Sequence, residues 1–132
     1  MTVPFHPLVA DYATRHGLSE GMRADGRLTI LIDDKYRVHL QGAHNGWLVI
    51  YARLCSLPSS GRAREDFLAD IGRQAAGMLS RHASACVIDP AEDGLWLQQM
   101  LRPDTDALGV DEAVGDFANA LSYWTGATRR AL

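Results

Sequence analysis

Between Leu28 and Leu54 the sequence carries three strand-like runs in succession, and no other feature constrains the fold as tightly. A long helical stretch, two further strand-like runs and a closing helix follow. Strands joined by short turns pair antiparallel, because a parallel neighbour needs a crossover of a dozen residues or more. The order therefore excludes a parallel nucleotide-binding sheet, in which strands and helices alternate. It predicts a single α+β domain over residues 1–132, in the order α-β-β-β-α-β-β-α, built as an antiparallel twisted sheet with helices packed on it.

Each element has a local warrant. Pro7 suits the first turn of a helix, where its missing N–H costs nothing, and Gly17 suits the end. Between them Leu8, Tyr12 and His16 step by four, with Val9 and Ala13 alongside and Phe5 placed to staple the entry. Ala24-Asp25-Gly26 is a turn, and the first strand is predicted over Arg27–Asp33. In the second, Tyr36, Val38 and Leu40 alternate with Arg37, His39 and Gln41. Asp33-Asp34-Lys35 makes a hairpin connection, and His44-Asn45-Gly46 a turn in which Asn-Gly tolerates positive φ. The third strand runs from Trp47 to Leu54. Ser59-Ser60-Gly61 opens a helix striped by Phe67, Leu68, Ile71, Ala75, Met78 and Leu79. Ser84–Ile88 and Leu95–Leu101 are strands around the polar turn Asp89–Gly94. Val110, Val114, Phe117, Leu121 and Trp124 make the seam of a last helix over about 110–125.

Strand parity separates two faces. Leu28, Ile30, Ile32, Val38, Leu40, Leu48, Ile50 and Leu54 share one and make a core. The other is polar in the second strand, yet in the neighbours it carries Leu31, Trp47, Val49 and Tyr51, continued by Trp96 and Met100 in the fifth. A solvated sheet face does not need such residues. Either a helix covers them or they form an exposed binding surface. Gly72 and Gly77 each weaken the second helix by about 1 kcal/mol relative to alanine, so small residues there point to close approach of another backbone.

The chemistry-bearing residues are scattered. Five histidines, at 6, 16, 39, 44 and 82, show no metal-ligand spacing, and His39 lies on the polar parity of its strand, as a solvated histidine would. Asp33 and Asp34 are neighbours at a hairpin tip and point apart. Ser59 and Ser60 lack the frame of a hydrolase elbow, and no glycine-rich phosphate loop occurs. No catalytic residues, metal or cofactor are expected. Cys55 and Cys86, the two cysteines, belong to no C-x-x-C pair and read as free thiols in a reducing compartment. From Asp89 to Asp116 eight acidic residues face one basic residue, Arg102, which argues against nucleic-acid binding. Arginine outnumbers lysine twelve to one, a compositional habit and not a binding patch. No run approaches the roughly 20 apolar residues of a membrane span. The start of the chain lacks the basic and apolar regions of a signal peptide, so the expectation is a cytoplasmic domain without membrane insertion.

With that order in place, the local sequences resemble a known family. Leu48 to Leu54 leading into Leu57-Pro58 resembles the third strand and following turn of bacterial type III secretion chaperones of the Tir-chaperone class. Phe67-Leu68 through Met78-Leu79 is similar to that family's second helix, and Leu95 to Leu101 followed by Leu108, Phe117 and Trp124 to its closing strand and helix. The resemblance implies a cytoplasmic homodimer that holds the extended N-terminal segment of a secreted effector unfolded and secretion-competent without ATP. Together with the parity it implies an effector surface of Phe5, Leu8, Tyr12, Leu31, Trp47, Val49, Tyr51, Trp96 and Met100, with Leu8 and Tyr12 left partly exposed on the helix. It implies a dimer interface of Phe67, Ile71, Gly72, Ala75, Met78, Leu79, Cys86 and Ile88. Two other classes stay open: a small dimeric signalling or scaffold module, and an enzyme whose site is assembled from distant residues.

Overall fold

The computed structural model describes residues 4–59, 61–91 and 93–132; Met1–Val3, Ser60 at the expected helix opening and Glu92 in the expected polar turn lie outside the described residues. The elements are α1 (Pro7–Arg15), β1 (Leu28–Ile32), β2 (Tyr36–Gly42), β3 (Leu48–Ser56), α2 (Gly61–Met78), β4 (Ala85–Ile88), β5 (Gly94–Leu101) and α3 (Ala107–Ala131), with short 3-10 turns at Ser19–Gly21 and His44–Gly46. This is the α+β order read from the sequence.

Left-handed turn residues begin the sheet. Asp33 and Asp34 take φ of 54° and 56°, and the Lys35 N–H donates to the Ile32 carbonyl at 3.1 Å. Two consecutive residues with positive φ twist a hairpin to match its strands, and aspartate tolerates that region better than most residues. Asn45 and Gly46, at 60° and 79°, do the same between β2 and β3. The five strands are antiparallel in the order β1-β2-β3-β5-β4, so β5 enters between β3 and β4. Helix α2 supplies the connection that lets the chain pass over that position.

The aliphatic parity packs as expected. Leu28, Val38, Leu40, Leu48, Ile50 and Leu97 are fully buried, under Val110, Phe117, Leu121 and Trp124 of α3 and Val9, Tyr12 and Ala13 of α1. Burying each large aliphatic side chain contributes about 1.5–3 kcal/mol. Leu54 departs from the pattern: the β3–β5 register shifts between Arg53 and Cys55, so Leu54 is the bulged residue and is only half-buried. Helix α3 also runs past Thr125. Gly126 and Thr128 are weak helix formers, but Ala127 and Thr128 are buried and the Thr128 hydroxyl donates to the Thr125 carbonyl at 3.1 Å, so packing overrides propensity.

Polar contacts fix α1. His6 caps it, its Nδ1 accepting from the Leu8 N–H at 3.1 Å while its Nε2–H donates to the Gly46 carbonyl at 2.8 Å. At the other end Arg15 donates to Asp11 and, at 2.8 Å, to Asp111 of α3, and His16 Nε2 lies 3.1 Å from Asp111. The Arg15 guanidinium, then His16, hold the Asp111 carboxyl below its ordinary value. Helix α2 is held more loosely. Only Phe67 and Ile71 are buried, and the Tyr123 hydroxyl donates to Gln74 at 2.9 Å.

Candidate functional site

The helices gather on the core face, and the opposite face of the sheet is left to solvent. Register places there Thr29, His39, Tyr51 and Gln98 in one row, Arg53, Trp96 and Val87 in a second, and Gln41, Val49 and Met100 in a third. Leu31 is 62% exposed, Met100 42% and Trp47, just before β3, 36%. A helix cover for these residues is thus ruled out as the reason for their apolar character.

The centre of this face is a fixed aromatic cluster. The Tyr51 ring lies 5.0 Å from His39 and 5.9 Å from Trp96, centroid to centroid, and the Arg53 guanidinium sits 5.8 Å over the Trp96 ring. Such ring pairs each add about 0.5–1.5 kcal/mol beyond area burial. Hydrogen bonds set the orientations: Tyr51 donates to Gln41 at 2.7 Å, Trp96 Nε1–H donates to Asp89 at 3.3 Å, and Thr29 Oγ1 meets His39 Nδ1 at 3.0 Å. His39 is therefore not the solvated histidine its parity predicts. It is 8% exposed, walled in by its neighbours. Burial first, then the charges of Arg27 and Arg37, lower its pKa from 6.5 to about 4, so the ring is neutral at physiological pH.

Toward the β1–β2 hairpin the sheet opens. The β2–β3 ladder ends at His39↔Tyr51, whereas β2 stays paired to β1 as far as Tyr36 and β3 to β5 as far as Ser56. The two inner strands splay, leaving a cleft of about 560 Å³ with Arg37, Arg53 and Trp96 in front and Leu121, Thr125 and Arg129 of α3 behind. A second recess of about 360 Å³ lies between Trp96, Tyr51, Val87 and Gln98. Trp96 stands between the two.

The other expected residues fall elsewhere. Helix α1 packs beside β2 on the core side, so Phe5 and Leu8, both half-buried, do not join the sheet-face residues in one surface. Tyr12 corrects the expectation of partial exposure. It is 8% exposed and sits in the core, because α1 buries the flank of Val9, Tyr12 and Ala13 and leaves Leu8 half-buried and His16 exposed. Phe67 and Ile71 are likewise core residues. The remainder of that group borders solvent: Ala75, Met78 and Cys86 are half-buried, and Leu79 and Ile88 are exposed. A Cβ at Gly72 or Gly77 would meet nothing within 4 Å, so the close approach that favours glycine is absent within the protomer. Both cysteines are free, and burial, then Cys55, pushes the Cys86 thiol up to about 12.

Sequence reasoning missed the arginines of the cleft. Arg37 and Arg53 share the odd parity of Tyr51, a signal present in the sequence; Arg129 joins them only through the packing of α3. Among the described residues no cluster of three or more His, Cys, Asp or Glu side chains is placed to hold a metal ion. Among them, too, no helix is long and apolar enough to cross a membrane. The arrangement is an ordered, partly apolar face with cationic margins, in which the one hydroxyl–imidazole contact described, Thr29 with His39, belongs to the packed cluster.

Residues 8–124 match the Tir chaperone protein (CesT) family. No curated protein sequence matches the chain. Among solved structures, a chain of the HopA1–SchA chaperone–effector complex is similar at 13% identity and a TM-score of 0.65, over 90% of this chain and 91% of that one. A chain of the ExsC–ExsE complex is similar at 17% identity and a TM-score of 0.64, over 91% and 90%. A third similarity is to a chain of the complex between the Yersinia pestis type III secretion chaperone SycH and a stable fragment of YscM2, at 22% identity and a TM-score of 0.61, over 92% and 99%.

Proposed function

The chain belongs to the Tir chaperone protein (CesT) family, and from that premise we propose that it is a type III secretion chaperone, binding the extended N-terminal segment of a secreted effector in the cytoplasm and keeping it unfolded and secretion-competent. The observation that carries this reading is the uncovered sheet face on which Leu31, Val49, Tyr51, Trp96 and Met100 gather around a fixed aromatic cluster. An extended segment exposes alternate side chains, and a pre-ordered surface receives them without an ordering cost of its own. The outer edge of β1 beyond the Met22–Leu28 bridge offers backbone partners for strand addition. The segment is then held by contacts alone, so no ATP and no catalytic turnover enter the cycle.

The chaperone acts as a homodimer in this reading. Helix α2 and strand β4 are the surface for it: Leu79 and Ile88 are exposed, Met78 and Cys86 half-buried, and the space beside Gly72 and Gly77 is open to a second backbone. Leu8 and Phe5, on the α1 side, serve a more distant part of a segment that wraps around the protomer.

Co-expression with candidate effectors, followed by size-exclusion chromatography with light scattering, tests both parts. The expected species holds two copies of this chain and one effector whose N-terminal segment is protease-accessible beyond the chaperone footprint. A stable monomer that captures none of the effectors encoded beside it would remove the reading.

A further inference from the structure

We infer that the cleft at the splayed end of the sheet is a subsite for an acidic residue of the cargo, so that the segment this chaperone prefers places a carboxylate next to an apolar anchor. The inference rests on the chaperone reading and specifies the chemistry of its ligand.

Four cations, Lys35, Arg37, Arg53 and Arg129, line the cleft, and no carboxylate does. Among the described residues none of the four has a carboxylate within ion-pair distance. Asp33 and Asp34 belong to the neighbouring hairpin tip and are exposed, and Asp89 faces Arg53 only across Gly94, where a Cβ would meet both side chains. This concentration is notable in a chain of net charge −3, whose acidic residues crowd between Asp89 and Asp116. Like charges held around one opening repel each other until an anion enters. The walls are not uniformly polar. Leu31 is exposed on one side and the Trp96 ring stands on the other. A carboxylate alone fits the charges; a carboxylate flanked by apolar side chains fits charges and walls together. The facing edges of β2 and β3 are unpaired here while their other edges stay in ladders with β1 and β5, so an extended segment enters beside backbone that is not already paired on that side. Peripheral charges of this kind act on partner choice and on-rate and weaken with salt.

The test uses the full-length protein and three fluorescein-labelled peptides of alternating apolar and polar residues, identical except for Glu, Gln or Lys at one central position. Fluorescence anisotropy at low salt should rank them Glu, Gln, Lys, with about a tenfold span in Kd between the extremes that collapses at high salt. Arg37→Ala with Arg129→Ala should abolish the ranking, and Arg37→Glu with Arg129→Glu should reverse it in favour of the Lys peptide. The reversal is a readout that misfolding cannot produce. Equal binding of the three peptides, no binding of any, or tighter binding of a single-stranded oligonucleotide than of the Glu peptide would overturn the inference. Capture of a co-expressed effector is scored separately: retention by the Arg37→Ala, Arg129→Ala protein with no peptide ranking in the native chain removes the subsite and leaves the chaperone.

Discussion

The two faces of one sheet solve different problems with the same five strands. The core face is aliphatic and closed, its leucines, isoleucines and valines interdigitating with α1 and α3. The outer face is a mosaic in which aromatic rings, arginines and single exposed aliphatics are held by hydrogen bonds and by each other. On the core face, side-chain identity matters because volume must be filled; on the outer face, it matters for ring pairing and hydrogen bonding and, in the proposed function, for recognition. The outer rings are nonetheless ordered, and that is the lesson. An uncovered sheet face need not be soft, since cross-strand ring pairs and side-chain hydrogen bonds fix it without a second layer.

The difference is open to test. The largest effect belongs to the core. Phe117 is fully buried under the sheet, and Phe117→Ala should destabilise the domain by about 3–5 kcal/mol in denaturant titrations. A loss below about 1 kcal/mol would mean that α3 does not close the core face as described.

An intermediate effect comes from His39, where the outer face behaves partly like a core. Its folded pKa is lowered from 6.5 to about 4, so as pH falls the unfolded chain takes up the proton first. Stability is therefore full above pH 6.5 and declines as pH falls to about 4. A fully realised shift corresponds to about 3 kcal/mol, and partial hydration on the solvent side of the sheet leaves about 1–2 kcal/mol. Comparing melting curves of the native chain and His39→Gln across this range isolates the contribution, because carboxylate titration is common to both. Parallel curves would place the ring in water and dissolve the cluster.

The smallest stability effect should be at Leu31. At 62% exposure, Leu31→Ala should change stability by no more than about 0.5 kcal/mol. With Met100→Ala it should still cut effector capture in pull-downs. Loss of 2 kcal/mol or more, of the size seen in cores, would erase the distinction between the faces.

Much of the fold was legible because its signals are local. Alternation in Tyr36–Gln41, the Asp33-Asp34 and Asn45-Gly46 turns, and the seam from Val110 to Trp124 each show within a dozen residues what structure that stretch adopts. Parity also placed Leu31, Val49, Tyr51, Trp96 and Met100 on one face together, since register turns a two-residue period directly into sidedness. Tyr12 was misread because a narrow helical stripe does not reveal which of its residues meets the neighbouring helix. His39 was misread because parity reports direction and not cover, and its cover is rings from β3 and β5.

What the amino-acid sequence determined by itself was therefore the element order, the antiparallel pairing of β1 to β3 and the division of each strand into an aliphatic and a mixed side. These follow from backbone periodicity and from the few residues that accept positive φ. Which side the helices would cover, the insertion of β5 between β3 and β4, and the splaying that gathers Arg37, Arg53 and Arg129 around one cleft were decided only in the tertiary structure. Each depends on contacts between residues some forty to ninety positions apart, in the β3–β5 ladder and in the packing of α3 on β3 and β5, and no local pattern encodes them.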